Sequence, residues 1–318
     1  NSSSFDEIEK LIKDALVLGT DNNFGHDFHK DALRRFELAA RDPITTGWSQ
    51  MDEICKGGLG NSELGVVVAP TGAGKSMVLV HLATQALLLG KTVVYYTLEL
   101  KDTTVGQRFD CCLTKTHLGE HKQKKEEILK KIEDIEGTLI IKEYPTKSAS
   151  VQTIKNHIEK LRKRGINPDI ILLDYADLLR PVRSSSEKRH ELEETYEGLR
   201  GLAQSYDIPC WTASQTNRGG LNAEVITMEA ISEAFNKCFV ADFIFSLSRT
   251  TLDKQSNKGR VFIAKNRNGP DGIVFDAHVD WSDVTINILD RNESVEKMQT
   301  TTEARKILKE KYEQLQRK

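Results

Sequence analysis

The chain has 318 residues, of which 38% are hydrophobic and 29% charged, with a formal net charge of −2. This is the composition of a globular protein with one large or two small domains, and it excludes a protein that coats duplex DNA by charge alone. No apolar run approaches the ~20 residues of a membrane-spanning helix, and the start NSSSFDEIEK shows no secretory signal. We expect a cytoplasmic protein with no membrane contact and, for any nucleic acid, a local groove or pore.

Cysteine usage fits the same compartment. The five cysteines form no C-x-x-C pair and show no histidine spacing typical of a zinc site. We therefore expect reduced, buried thiols, as in cytosolic proteins, at Cys55, Cys111, Cys112, Cys210 and Cys238.

The two ends of the chain differ from its middle. Residues 1–40 are predicted to form a linker region, with apolar residues at helical spacing over Phe5–Leu18 and a second short helix over His29–Ala40. The first helix packs either on its own domain or on another subunit. Residues 292–318 are predicted to be a polar tail, either solvated or forming a charged helix over Glu303–Lys318.

Between these ends, residues 41–291 alternate between strand and helix patterns, so we predict a single domain there. Predicted strands are Leu64–Ala69, Thr92–Leu98, Thr138–Lys142, Asp169–Asp174, Ile208–Ala213, Ala241–Leu247, Arg260–Lys265, Gly272–Ala277 and Val284–Leu289. Predicted helices are Ser76–Leu89, Val105–Thr116, Lys122–Ile135, Val151–Arg164 and Lys188–Ser205. The fold class is α/β: a mainly parallel sheet covered by helices on both faces, with an antiparallel edge where the last strands follow one another.

The stretch VVVAPTGAGKSMVLV contains a phosphate-binding loop between a predicted strand and a predicted helix. Ala69 occupies the position where the pattern has glycine, but a methyl group is tolerated at a strand end. Backbone N–H groups and the helix N-terminus would bind phosphate, Lys75 would reach the β- and γ-phosphates of ATP, and Ser76 would bind Mg²⁺. The predicted nucleotide-binding residues are Pro70, Thr71, Gly72, Ala73, Gly74, Lys75 and Ser76.

Three polar residues at strand ends complete a catalytic set. Asp174 ends the apolar run IILLD, where a carboxylate can hold Mg²⁺ through water. Glu99, in YYTLEL, is placed to polarise an attacking water, although a surface glutamate is an equal alternative from position alone. Gln215, at the end of WTASQ, can sense a γ-phosphate by hydrogen bonding.

Two groups of cations have both a functional and an ordinary interpretation. Lys265 and Arg267, in IAKNRNGP, are either a solvated pair or an arginine finger that reaches a phosphate in a neighbouring subunit. The basic stretch RPVRSSSEKRH is either an exposed loop or a pore loop that follows a DNA backbone through Arg183, Lys188 and Arg189.

In order along the chain, APTGAGKS, TLEL, LLDYADLL, ASQTNR and IAKNRNGP resemble the DnaB-type replicative hexameric DNA helicases, which have a RecA-like P-loop ATPase core. The resemblance covers residues 44–289, and IIKEYPTKSAS is similar to the phage, T-even-like branch. It implies catalytic roles for Lys75, Glu99, Asp174, Gln215, Lys265 and Arg267, the last two acting across a subunit boundary. It adds Arg108 as a nucleotide contact and favours docking of Phe5–Leu18 on an adjacent subunit.

The resemblance also implies single-stranded DNA contacts from the loop after the fifth strand, with Asn217, Arg218 and Lys237 as candidates. Here the sequence departs from the family: Ser232 and Phe235 stand where relatives have arginine and glycine. This departure weakens the expectation of DNA contact in that loop.

The function implied is an ATP- and Mg²⁺-dependent ring motor that moves along single-stranded DNA and unwinds duplex at a replication fork. Its partners would be further copies of the chain, a primase and a helicase loader, in the host cytoplasm for a phage protein. The alternatives are a RecA-like recombinase or another non-unwinding RecA-fold ATPase, and a nucleotide-dependent assembly scaffold that does not hydrolyse ATP.

Overall fold

The structure, a computed structural model, describes residues 25–33, 41–181, 188–216, 225 and 238–291. The chain separates into two compact units between Asp42 and Pro43. In the first unit, residues 28–33 form a turn in which the Asp27 carboxylate accepts hydrogen bonds from the backbone N–H groups of His29 and Lys30. The predicted helix over Phe5–Leu18, most of the predicted second helix and the predicted tail 292–318 lie outside the described residues.

The second unit is built on one nine-stranded sheet in the order β3-β2-β4-β5-β1-β6-β7-β8-β9. Its strands are β1 Leu64–Ala69, β2 Thr92–Thr97, β3 Thr138–Glu143, β4 Ile170–Asp174, β5 Cys210–Gln215, β6 Phe243–Ser248, β7 Lys258–Asn266, β8 Val274–Asp280 and β9 Thr285–Arg291. The strands from β3 to β6 pair in parallel, and β6 to β9 pair antiparallel. The predicted parallel sheet with an antiparallel edge is confirmed, and all nine strands lie where the sequence predicts them.

Helices cover the sheet between its parallel strands. They are α1 Ser49–Ile54, α2 Lys75–Leu88, α3 Asp102–Thr114, α4 Lys125–Glu133, α5 Val151–Arg162, α6 Lys188–Tyr206 and α7 Thr251–Gln255. The five longer helices match the predicted ones, whereas α1 and α7 are too short for a periodic signal and were not predicted. Within the described residues, no helix is long and apolar enough to cross a membrane.

The core lies on both faces of the sheet, as the continuously apolar strands require. Successive residues of a strand point to opposite faces, so Val67 joins the cluster with α2 and Val66 joins the cluster with α5 and α6. All residues of β1 and β4 are buried. The five cysteines are free and buried in this core, as predicted.

The parallel register brings four strand ends together. Ala69 of β1 pairs with Gln215 of β5, and Thr97 of β2 pairs with Asp174 of β4. The carboxyl ends of β1, β2, β4 and β5 therefore form one edge of the sheet, here called the upper edge. The opposite, lower edge holds Leu64, the first residue of β1.

Candidate nucleotide-binding and catalytic site

A cleft of about 280 Å³ opens at the upper edge. Its walls come from the loop after β1, the segment after β2, helix α3 and the ends of β4 and β5. It is lined by Thr71, Gly72, Gly74, Lys75, Ser76, Met77, Glu99, Leu100, Arg108, Tyr175 and Gln215. Residues that the sequence places up to 144 positions apart, from Thr71 to Gln215, thus meet in one cleft.

The loop between β1 and α2 has the backbone of a phosphate cradle. Gly72 and Gly74 have φ values of 73° and 109°, which side-chain-bearing residues rarely adopt. Helix α2 begins at Lys75, so its first backbone N–H groups and its dipole point toward the cleft. Trp281 packs under the loop, and a Cβ atom at Gly74 would lie 2.1 Å from its ring.

Lys75 lies along this loop, with 8% of the residue exposed. Its Nζ donates to the carbonyl oxygens of Ala69 at 3.3 Å and Pro70 at 3.2 Å, and lies 5.5 Å from the centre of the Tyr175 ring. The ammonium group is therefore held at the loop by backbone acceptors, the position from which a lysine can neutralise a bound phosphate.

Asp174 is fully buried beside Ser76. Tyr95 donates to its Oδ2 at 3.3 Å, while its Oδ1 is buried and accepts no hydrogen bond from the described residues. Burial raises the pKa of Asp174; the Ser76 hydroxyl opposes the rise, Glu99 adds to it, and Arg108 opposes it. A buried carboxylate oxygen without a donor, next to a hydroxyl, fits Mg²⁺, which usually takes one or two protein oxygens plus phosphate and water.

Tyr175 is a cleft residue that the sequence analysis did not single out. Its hydroxyl donates to Gln215 Oε1 at 3.3 Å, and Asp177 Oδ2 accepts from the Gln215 backbone N–H at 3.3 Å. Burial and the nearby carboxylates of Glu99 and Asp177 raise the pKa of Tyr175 to about 12, so it remains a donor at neutral pH. The tyrosine following the strand-end aspartate in LLDYADLL was the available signal.

Lys265 and Arg267 lie at the lower edge. Lys265 is the penultimate residue of β7, and its Nζ donates to the Phe239 carbonyl oxygen at 2.5 Å and lies 4.4 Å from the Phe239 ring centre. Arg267 follows β7 directly, and its Nη1 lies 3.0 Å from Asp242 Oδ1. Asp242 is tied to the start of β1, because its backbone N–H donates to the Leu64 carbonyl oxygen at 2.8 Å.

The turn that carries Arg267 is built by its other motif residues. The Asn266 side chain donates to the carbonyl oxygens of Ile54 at 2.9 Å and Pro270 at 3.1 Å, and it accepts the backbone N–H of Asn268. A Cβ atom at Gly269 would lie 2.1 Å from the Ile54 carbonyl oxygen, so this position requires glycine. The asparagines and glycine of KNRNGP thus have structural roles, and the two cations remain for function.

The predicted DNA contacts are less fully described. Arg183, Asn217, Arg218 and Lys237 lie outside the described residues, and for Lys188 only the backbone, at the start of α6, is described. Arg189 is in the first turn of α6 rather than in a loop, because its Nε pairs with Glu193 one turn later at 2.9 Å. Since its side chain is exposed, this pair leaves the guanidinium accessible.

Comparison with solved structures shows the fold. The chain superposes on a solved helicase ATPase domain with a TM-score of 0.71 at 16% identity, covering 84% of this chain and all of that one. It also superposes on a DnaB-like replicative helicase studied for its interactions with primase, with a TM-score of 0.68 at 17% identity, covering 89% and 71% of the two chains. The predicted RecA-like α/β fold is confirmed.

Comparison with curated sequences gives relatives of greater length. A DnaB-like replicative helicase of Enterobacteria phage T4 is 28% identical over 261 residues, covering 76% of this chain and 54% of the relative. The replicative helicase DnaB of Buchnera aphidicola subsp. Acyrthosiphon pisum is 23% identical, covering 79% and 58%. The chain thus spans about half the length of these relatives. The DnaB-like helicase C-terminal domain family matches residues 43–283, so the chain belongs to that family.

Proposed function

We propose that this chain is the motor domain of a replicative DNA helicase: an ATP-driven ring that moves along single-stranded DNA and unwinds duplex. The observation that carries the proposal is the division of one catalytic set between two edges of the sheet. The upper edge has a phosphate cradle with Lys75, Glu99 and Asp174, and the lower edge has Lys265 and Arg267.

The upper edge supplies binding and water activation. The backbone N–H groups of the loop and Lys75 hold the β- and γ-phosphates, with Arg108 on the opposite wall of the cleft. Ser76 and Asp174 hold Mg²⁺, which neutralises phosphate charge. Glu99 orients and deprotonates the attacking water, and Gln215, held by Tyr175 and Asp177, reports whether the γ-phosphate is present.

The lower edge supplies charge to a different cleft. From Leu64 to Ala69, β1 spans five residue steps, or about 17 Å at the usual strand rise. Arg267 is bound at the Leu64 end and Lys75 at the Ala69 end, so one subunit cannot close its own site with its own Arg267. A head-to-tail ring, in which the lower edge of each subunit faces the cleft of the next, completes every site.

The proposed assembly is a homohexamer around single-stranded DNA, with a primase and a helicase loader as further partners, in the host cytoplasm for a phage protein. Arg183, Lys188, Arg189, Asn217, Arg218 and Lys237 remain the candidate DNA contacts. They lie on stretches that follow β4 and β5, both of which end at the upper edge.

The test is to measure ATP hydrolysis by the full chain with and without single-stranded DNA, together with particle mass and unwinding of a forked duplex. We expect hydrolysis that DNA stimulates, a six-fold mass with nucleotide, and unwinding that Lys75→Ala abolishes. Strand exchange without unwinding would favour a recombinase, and nucleotide binding without hydrolysis would favour an assembly scaffold.

A further inference from the structure

Asp242 joins two arginines at the lower edge. Its carboxylate accepts from Arg200 Nη2 at 3.1 Å and Nε at 3.3 Å, and it lies 3.0 Å from Arg267 Nη1. The Leu64 backbone N–H donates to the same carboxylate at 3.0 Å. Since the Asp242 side chain is only 6% exposed, these contacts form in a largely dehydrated setting, where charge-assisted hydrogen bonds are strong.

The backbone holds this carboxylate firmly. Asp242 directly precedes β6, and its N–H donates to the Leu64 carbonyl oxygen at 2.8 Å. The Asp242 carbonyl oxygen in turn accepts the Arg267 backbone N–H at 3.0 Å. The carboxylate is thus fixed to the central strand β1, and both the main chain and the side chain of Arg267 are fixed to Asp242.

Arg267 nevertheless keeps most of its donors available. Its side chain is 46% exposed, and only Nη1 is engaged by a described residue. A guanidinium has five N–H groups in a fixed plane, so one anchored nitrogen orients the remaining donors. An oriented arginine loses less conformational entropy when it meets a phosphate than a freely rotating one.

Arg200 solves the problem that such an anchor creates. A lone carboxylate would cancel the charge that Arg267 needs, but Arg200 contributes a second positive charge to the same carboxylate. The Arg200–Asp242–Arg267 triad therefore carries a net charge of +1, and Lys265 adds another cation at the same edge.

We propose that Asp242 is a positioning residue that orients Arg267 for the nucleotide of the adjacent subunit, with Arg200 compensating the charge of Asp242. This inference rests on the proposed function, specifically on Arg267 acting across a subunit boundary. It assigns to the buried triad a role in hydrolysis in addition to its part in the fold.

The test compares Asp242→Asn, Arg267→Ala and the double variant by DNA-stimulated ATP hydrolysis, with ring mass and thermal unfolding as folding controls. Asparagine can still accept the Leu64 N–H but carries no charge. For Asp242→Asn we expect kcat to fall about 10- to 100-fold, because misplaced catalytic groups cost that much, while the KM for ATP stays within about twofold. In the Arg267→Ala background, Asp242→Asn should change kcat no further.

A fall in kcat of similar size in the Arg267→Ala background would overturn the inference, because Asp242 would then act independently of Arg267. A wild-type kcat for a folded Asp242→Asn ring would also overturn it. If Arg267→Ala itself leaves hydrolysis unchanged, the proposed shared site fails first, so the two failures are distinguishable.

Arg200 provides a second test should Asp242→Asn fail to assemble. Arg200→Gln leaves the carboxylate bound to Leu64 and Arg267 but lets it cancel the Arg267 charge, so we expect a several-fold lower kcat. Arg200→Lys should restore most of the rate. A folded Arg200→Gln ring with wild-type kcat would contradict the compensating role.

Discussion

Lys75 and Arg267 lie at opposite ends of strand β1. The Lys75 ammonium group donates to the Ala69 carbonyl oxygen, the last residue of the strand, and Arg267 is bound through Asp242 to Leu64, the first. The parallel register fixes this separation, because β6 pairs with β1 and places residue 242 beside the strand's start. Each chain thus presents a nucleotide cleft at one edge and two cations at the other.

Lys75→Ala should lower the rate of ATP hydrolysis about 100-fold or more, because removing one preorganised charge facing the phosphates typically costs that much. The matched control is Lys163→Ala, an exposed lysine at the end of α5. Steady-state ATPase assays check the prediction. Substantial turnover in Lys75→Ala would show that the loop after β1 is not the catalytic phosphate site.

Glu99→Gln should retain nucleotide binding but lose hydrolysis, since glutamine keeps the size of the side chain and cannot accept a proton. A loss of about 100-fold or more in kcat is expected for a general base. Glu126→Gln, an exposed glutamate on α4, is the control. Binding is measured with a fluorescent ATP analogue, and a large loss of affinity would assign Glu99 a structural role instead.

Lys265 predicts a pH effect. Burial lowers its pKa, the Arg267 charge lowers it further, and Asp242 partly opposes this shift. As pH rises, Lys265 therefore loses its charge earlier than an ordinary lysine, and hydrolysis that needs this cation falls on the alkaline side. Lys265→Arg should move that fall to higher pH, because arginine stays protonated.

The control for Lys265→Arg is Lys258→Arg, an exposed lysine at the other end of β7. The measurement is kcat against pH for the wild type and both variants. Identical alkaline limbs for wild type and Lys265→Arg would remove Lys265 from the catalytic set.

The contact between Gly74 and Trp281 predicts a difference in stability between two glycine variants. Gly72→Ala places a side chain at positive φ in open space, which costs about 1–2 kcal/mol. Gly74→Ala has the same backbone cost and also overlaps the Trp281 ring, which adds about 1–3 kcal/mol of overpacking. Urea unfolding should rank Gly74→Ala as clearly less stable, and equal midpoints would show that the ring moves aside freely.

The sequence predicted the sheet well for a physical reason. Buried parallel strands are continuously apolar, as in GVVVA and DIILLD, and their carboxyl ends share an edge. The phosphate loop and the acidic strand ends could therefore be placed in one cleft before any contact was known.

The remaining site residues depend on contacts that no local pattern reveals. Asp242 pairs with Arg200 and Arg267 across 42 and 25 positions, and Trp281 reaches Gly74 from a hairpin of the antiparallel edge. Tyr175 has neighbours in motif order but is recognised as a cleft residue only through its bond to Gln215. Helices α1 and α7 have five or six residues, too few to show a period.

The most direct test of the shared site mixes Lys75→Ala and Arg267→Ala subunits in one ring and measures DNA-stimulated ATP hydrolysis against their ratio. In an equal mixture about a quarter of the interfaces join an intact Lys75 to an intact Arg267, so we predict a rate well above that of either variant alone. Wild type diluted with the double variant Lys75→Ala/Arg267→Ala shows whether isolated intact interfaces turn over. If they do and the mixed variants recover no activity, Arg267 acts within its own subunit and the shared site is contradicted.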